Sequence, residues 1–381
     1  MNKIFPSLLL ALFYLVACNN EEKATFTLSG TVKDKNVKEL YISHLSLKET
    51  TRTDTITLDE NRKYSCQLKA EAPELYFIQA KAGQQLIFFM GQNGDALTLD
   101  IEQIAQEKNY TISGNKHCQI LQELDKHSQD VLHQLVALNK DLSELQTTDK
   151  QDTVKISIEQ QITKIHKDYK KYLTDFIDRY TGSSPAVIQA LVQRLGREPI
   201  FNISIDRKLF EKVDDSLFVA FPASSMVQEL HERLAQITPP PEAGSRAPAI
   251  NLKTPEGNFF PLDSLRGKYV WLEFWASWCP DCRKTNPEVL AIFEKFKKRN
   301  FTIYQVSLDK NKEEWIQGIK ADGLSAWHHV SDLKYWDCVP AREYGIRFIP
   351  AGFLIDPEGK IINRFLSPKE LEEKLHEIFD K

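Results

Sequence analysis

Trp275-Ala276-Ser277-Trp278-Cys279-Pro280-Asp281-Cys282-Arg283-Lys284 sets two cysteines where an apolar run gives way to a helical pattern. The run before it, Tyr269 to Trp275, is broken only by Glu273 and reads as a buried strand. Beyond it, Val289, Ile292, Phe293 and Phe296 share one helix face, so a helix is expected from Cys279 to about Arg299. Two intervening residues at a helix start bring the sulfurs within bonding reach. The first cysteine faces the positive end of the helix, which stabilises a thiolate, and Arg283 and Lys284 add positive charge nearby. Cys279 is therefore expected to be the nucleophile. Cys282, one turn in and shielded, is expected to resolve the mixed disulfide.

Outward from this motif the chain alternates strand and helix. Phe301 to Leu308 reads as a strand and Glu313 to Lys320 as a helix. Strands Ala351 to Ile355 and Lys360 to Phe365 flank the turn Asp356-Pro357-Glu358-Gly359, and Pro368 to Phe379 closes as a helix. An α/β domain is expected over 247–381. Before it, the 239–246 segment holds Pro239-Pro240-Pro241, a stiff extended linker that cannot continue a helix.

From about Ser245 to Lys381 the sequence resembles the thioredoxin superfamily, in particular its membrane-anchored TlpA/ResA type. The WxxWCxxC frame matches, as does Pro287, five residues after Cys282. The stretches Tyr344 to Pro350 and Phe353 to Lys360 read like the family's signature. The resemblance implies a thioredoxin fold and thiol–disulfide exchange on protein thiols and disulfides, with no cofactor besides the Cys279–Cys282 disulfide. It puts Glu273 in the place of the buried acid of thioredoxins. Burial would raise its pKa and let it take the proton from Cys282. It makes Ile349-Pro350 the cis-proline pair that faces the disulfide and docks substrate backbone. Trp278, Pro280, Ile349 and Pro350 are thus the expected substrate-side residues, with Trp275 and Trp278 as packing and shielding groups. Gly352 departs from the Thr often found two residues after that proline, which puts one substrate contact in question.

Rival chemistries fit less well. A zinc site would need ligands from His328, His329 and Cys338, without a second CxxC. A peroxiredoxin would carry Thr and Pro where Ala276 and Leu272 stand, and haem attachment would need His in place of Arg283. The non-enzymatic alternative is a binding or scaffold lipoprotein with an accessory redox domain. As for direction, reductants of this superfamily lie near about −270 mV and strong oxidants near about −120 mV. The Cys282–Pro350 segment lacks a large helical insertion of the DsbA kind, and with Glu273 this favours a reductant. A reductant needs an upstream electron donor, which has no signature in this chain.

The chain opens with Lys3 and an uncharged apolar run of 14 residues, Ile4 to Ala17. A spanning helix needs about 20 residues, so 1–17 reads as a signal peptide. Leu15-Val16-Ala17-Cys18 resembles a bacterial lipobox, which implies cleavage before Cys18 and acylation there. Residues 18–24 would form a lipidated tether, and the protein would sit in the cell envelope, on the outer membrane facing the periplasm. Stable anchoring takes two or more acyl chains.

Residues 25–114 read as strands, with alternation at Phe26, Leu28 and Val32 and at Tyr64, Cys66 and Leu68. Gly91-Gln92-Asn93-Gly94 is a hairpin signal, and a small antiparallel sandwich is expected, with Cys66 a buried structural thiol. In the helical region, 115–238, Leu121 to Leu145 and Ile158 to Phe176 carry heptad seams around a polar break at Thr147 to Asp152. Two helices folding back as an antiparallel hairpin are expected, either as an internal packing unit or as a homodimer surface. Further helices are expected around Ala186 to Leu195 and Arg207 to Ile237. The whole layout resembles thiol–disulfide interchange lipoproteins of the Bacteroidota type. The 49 basic and 53 acidic residues leave a net charge of −4, no basis for nucleic-acid binding. After cleavage, Cys66, Cys118, Cys279, Cys282 and Cys338 accompany Cys18, a scattered set that argues against a disulfide scaffold.

Overall fold

The computed structural model of the protein describes residues 24–47, 50–80, 86–104, 108–144, 149–196 and 198–380. Cys18 and the residues before it lie outside that set. Contacts divide the chain into two compact units. One holds the described residues up to Lys126 with Ala223–Ser225, the other His127–Pro222 with Met226–Lys381.

The first unit contains β1 (Thr25–Thr31), β2 (Glu39–Leu45), β3 (Thr50–Thr57), β4 (Lys63–Lys69), β5 (Glu74–Gln79), β6 (Ile87–Gly91), β7 (Ala96–Gln103) and β8 (Asn109–Ser113). They form two four-stranded sheets, β4-β1-β7-β8 and β3-β2-β5-β6. The sheets share one core, to which Phe26, Leu28, Leu97 and Leu99 come from one and Leu40, Ile42, Ile78 and Phe89 from the other. The expected sandwich is present, with two corrections. It is not wholly antiparallel, because β1 runs parallel to β7. Gln92 to Asp95 does form a turn, with Gly94 at φ +83°, but it is no hairpin. β6 pairs with β5 and β7 with β1 and β8, so the turn carries the chain from one sheet to the other. Cys66 is half-buried, not buried, between buried Tyr64 and Leu68.

Helices α1 (Lys116–Glu144) and α2 (Asp149–Tyr180) follow the two heptad seams. Ser128 Oγ lies 2.7 Å from Tyr169 Oη and the His127 and Tyr172 rings stack at 3.6 Å, so the seams face one another as an antiparallel hairpin. The next stretch is shorter and more broken than its pattern predicts. It comprises α3 (Val187–Leu191), the two-residue strands β9 (Arg194–Leu195) and β10 (Glu198–Pro199), α4 (Arg207–Ala220) and α5 (Ser225–Gln236). Over the helical stretch expected from Arg207 to Ile237, Pro222 separates α4 from α5, because proline lacks the N–H and clashes with the preceding turn.

The proline segment is laid against the last domain. Gly244 N–H donates to Ile361 O, Arg364 Nη1 to Pro240 O, and Ser204 Oγ to Gly345 O. That domain holds β11 (Asn251–Lys253), β12 (Phe259–Pro261), β13 (Tyr269–Trp275), α6 (Pro280–Phe296), β14 (Phe301–Ser307), α7 (Lys312–Ala321), β15 (His328–Ser331), α8 (Val339–Glu343), β16 (Ala351–Ile355), β17 (Ile361–Arg364) and α9 (Pro368–Phe379). Its sheet runs β12-β11-β15-β14-β13-β16-β17, with β13, β14 and β15 parallel and β16 antiparallel to β13. The short strands β11, β12 and β15 carried too few residues to show a period.

Register explains the departure at Gly352. It pairs with Glu273 across β13 and β16, and its backbone does not need glycine's positive φ. Space is the constraint: a Cβ there would lie 1.9 Å from Cζ2 of Trp271, which is itself 2% exposed. Glycine in a strand interior commonly marks such a close approach. Gly352→Ala should therefore cost about 1–3 kcal/mol of stability, the range for overpacking, and the double variant Gly352→Ala, Trp271→Leu should recover part of it. Chemical denaturation checks this. A Gly352→Ala protein as stable as the parent would show that the indole does not hold that space.

Candidate active site

The turn from β13 into α6 is fixed from outside. Buried Asp309 accepts the Ser277 N–H (3.1 Å), the Ser277 hydroxyl (2.6 Å) and the Ser307 hydroxyl (2.6 Å). A Cβ at Gly318 of α7 would lie 2.7 Å from Ser277 Cβ, so α7 packs flush on this turn. Cys279 thereby becomes the N-cap of α6, and Pro280 takes the first helical position, where its missing N–H is no loss. Cys279 and Cys282 form a disulfide. The backbone N–H of Cys282 points at Cys279 Sγ, 3.1 Å away. In the dithiol form that N–H and the helix terminus would stabilise negative charge on Cys279. Both sulfurs are shielded, with Cys279 4% and Cys282 1% exposed. Cys279 Sγ also lies 3.8 Å from the carbonyl oxygen of Ile349, which precedes Pro350 in a cis peptide.

Glu273 lies inside the protein, 4% exposed. Burial pushes its carboxyl up to about 7, against the hydrogen bond from Gln305, which lowers it. Gln305 Nε2 donates to Glu273 Oε2 at 2.5 Å, and Gln305 Oε1 accepts the Trp327 indole N–H at 3.0 Å. An indole can only donate, so Trp327 decides which end of the Gln305 amide faces the acid. Trp327 in turn packs edge-on against Phe293 of α6, the helix that carries Cys282. Gln305 and Trp327 were missed in the sequence. The signal available was a glutamine in the otherwise apolar reach of the strand beside Glu273. A carboxyl poised near 7 can accept a proton from a thiol at neutral pH.

The remaining candidates fall as follows. Trp275 is fully buried, whereas Trp278 is 40% exposed and Pro280 is exposed. Ile349 and Pro350 are half-buried. Arg283 does not act as a free charge near Cys279: its guanidinium grips Asp322, with Nε at 3.0 Å from both carboxylate oxygens and Nη2 at 2.5 Å from Oδ1. That pairing cancels most of the field assigned to it from the sequence. Burial pushes the thiols of Cys66 up to about 11 and of Cys118 and Cys338 up to about 12, so none of the three is activated. His329 directs Nε2 to the Leu324 carbonyl at 2.8 Å.

Residues 243–364 match the model of the AhpC/TSA family, and residues 26–120 match a domain of unknown function, DUF4369. The thiol-disulfide oxidoreductase ResA of Geobacillus thermodenitrificans is 30% identical over 138 residues, covering 35% of this chain and 77% of that protein. The chain belongs to the ResA-like thiol–disulfide oxidoreductases of the thioredoxin superfamily. The ResA of Bacillus subtilis is 32% identical over 119 residues, 31% of this chain and 64% of that protein. A solved thioredoxin domain of a thiol-disulfide oxidoreductase from Bacteroides vulgatus is 36% identical, covers 36% of this chain and 99% of its own, and superposes with a TM-score of 0.35. Each of the three similarities covers about a third of the oxidoreductase. No helix among the described residues is long and apolar enough to cross a membrane.

Two expectations follow for this oxidoreductase. The Glu273 pKa is raised from 4.5 in the absence of burial to about 7, so the folded state binds more protons than the unfolded chain between those values. Stability then falls as pH rises through that window, and the cost is full above it. Glu273→Gln removes the cost: the variant should gain stability over the parent from pH 5 to pH 8, by up to about 3 kcal/mol, while exchanging disulfides about 10²-fold more slowly. An equal stability difference at both pH values, or an unchanged rate, would count against the titrating carboxyl. Separately, Gln305→Leu removes the N–H that favours the carboxylate. The pH–rate profile of exchange should move to higher pH by about one unit, the worth of a hydrogen bond to a charged group; an unmoved profile would free Gln305 of any part in setting that acidity.

Proposed function

We propose that this oxidoreductase is a lipid-anchored, periplasm-facing reductant of protein disulfides that works through Cys279 and Cys282. The observation that carries the reading is the Cys282 N–H held 3.1 Å from Cys279 Sγ at the start of α6, with Ile349 and Pro350 beside it. The Cys279 thiolate attacks one sulfur of a substrate disulfide. A new S–S bond forms to Cys279, the substrate bond breaks, and the departing sulfur leaves with the electron pair and takes up a proton. The Cys282 thiol passes its proton to Glu273 and attacks Cys279 Sγ. The enzyme disulfide forms as the bond between Cys279 and the substrate sulfur breaks, and that second sulfur leaves with the electron pair and takes up a proton from solvent. Two electrons have moved from the enzyme dithiol to the substrate, and a thiol donor of the cell envelope must return them.

Several features support this direction and place. A carboxyl near 7 suits proton acceptance in the resolving step. Cys282 to Pro350 holds β14, α7, β15 and α8, with no large helical insertion of the oxidant type among the described residues. The lipobox-like Leu15 to Cys18 supports the anchor, with residues 18–24 as tether and 247–381 as the catalytic domain.

One experiment addresses both parts. The full chain with Cys282→Ala, expressed in cells, should accumulate mixed disulfides through Cys279, because the resolving thiol is gone. These adducts should fractionate with membranes. With Cys18→Ala added they should leave the membrane fraction. Absence of adducts would overturn the redox assignment, and membrane-bound adducts in the double variant would overturn the anchor.

A further inference from the structure

The protein exposes aromatic surface next to its disulfide that the fold does not require. Among the described residues after 246, three large apolar side chains are exposed, Phe259, Trp278 and Trp336. Two of these meet beside the redox pair. Trp278 directly precedes Cys279, and its ring centroid lies 5.1 Å from that of Tyr335 and 6.3 Å from that of Trp336. Tyr335 and Trp336 are 6.0 Å apart, edge to face. Large apolar side chains clustered in water mark interaction surface more often than scattered ones do.

The cluster is built, and at a cost. Leu333 and Tyr335 adopt left-handed φ values of +56° and +58°, which bulky residues avoid. Such strain persists only where the surroundings over-determine it. Here Asp332 accepts the backbone N–H groups of Lys334 (3.1 Å) and Val339 (3.2 Å), and Ser331 Oγ accepts that of Leu333 (3.0 Å). Lys310 Nζ sits 4.7 Å from the Tyr335 ring centroid, a cation–π contact. The Trp278 indole N–H donates to the Leu308 carbonyl at 3.4 Å, which sets the plane of its ring.

We propose that Trp278, Tyr335 and Trp336 form a docking platform for a large apolar side chain next to the substrate's cysteine. The oxidoreductase would then select disulfide-bearing polypeptides with an aromatic or aliphatic residue within two positions of the reacting sulfur. The occupant follows from place and reach. A substrate sulfur that meets Cys279 brings its neighbouring residues within about 3.5 Å per residue along the chain, and so over Trp278 and the rings that abut it. Tryptophan and tyrosine offer wide contact area at small entropic cost, which is why they dominate recognition surfaces. A small disulfide without a flanking side chain cannot use the platform.

The inference rests on Cys279 as the attacking thiol, and the test separates the two. The full chain is pre-reduced and mixed with two peptide disulfides that differ only in Phe or Ser beside the cysteine. Bis(2-hydroxyethyl) disulfide, run in parallel, reports the disulfide chemistry itself. The parent should prefer the Phe peptide by about tenfold in kcat/KM, the scale of burying part of one aromatic ring, and chiefly through KM. Tyr335→Ser with Trp336→Ser should bring that ratio close to one. Trp336→Gln alone, at an exposed position, should lower it in part, and Trp336→Phe should restore it. A parent without preference, or variants that keep it, would overturn the platform. Variants that lose the small disulfide as well would make the segment a support of the redox pair and also overturn it. A parent inert toward all three disulfides would sink the Cys279 reading beneath it.

Discussion

Everything at the redox site depends on one contact, the Cys282 backbone N–H aimed at Cys279 Sγ. It exists because Cys279 caps α6, and a cap needs the chain to enter the helix at a defined angle. That angle is held by a carboxylate far away in sequence. Asp309 collects three hydrogen bonds from Ser277 and Ser307, and in doing so ties the turn before the helix to the end of β14. Removing water from Asp309 would be costly without those donors, and with them the buried charge becomes a rigid anchor.

The same sheet holds Glu273, the acid proposed to take the Cys282 proton. Glu273 is raised because it is buried, and it is buried because neighbours fill the space around it. Trp271 lies over Gly352, the residue paired with Glu273, where any Cβ would collide. Glycine at 352 and tryptophan at 271 are therefore one feature, and the residue that stood out as a departure in the sequence is what admits the indole. Gln305 opposes the burial with a single N–H, and Trp327 keeps that N–H pointing the right way. Desolvation raises the carboxyl, and the Gln305 amide and the Trp271 indole restrain it, which leaves its acidity near neutral.

Around the sulfurs the surface carries two kinds of group. Ile349 and Pro350 offer a backbone edge beside Cys279, and Trp278, Tyr335 and Trp336 offer apolar rings. Arg283, adjacent to the motif and positive, contributes little field, since Asp322 neutralises it. Burial makes the three other described cysteines weaker acids, and for Cys338 it does so although that residue stands at the N-cap of α8.

Features encoded within a few residues were legible in the sequence. The CxxC spacing, the apolar run of β13, the face of α6, the seams of α1 and α2 and the turn before Gly359 each follow from a local period or a turn signal, because helix and strand geometry repeats over that range. Glu273 and Pro350 were singled out by their place in a known frame and not by any local period. What the tertiary structure decided was every pairing across distance. The turn around Gly94 has a hairpin's composition, yet it links two sheets, because the choice of neighbour lies with the core that Phe26, Tyr76 and Phe89 build together. The contacts from Trp327 to Gln305 to Glu273, the indole over Gly352, the Asp322 clasp on Arg283 and the aromatic cluster at Tyr335 all join residues far apart in the chain. No local period records them: strand register and helix packing alone bring those side chains within reach.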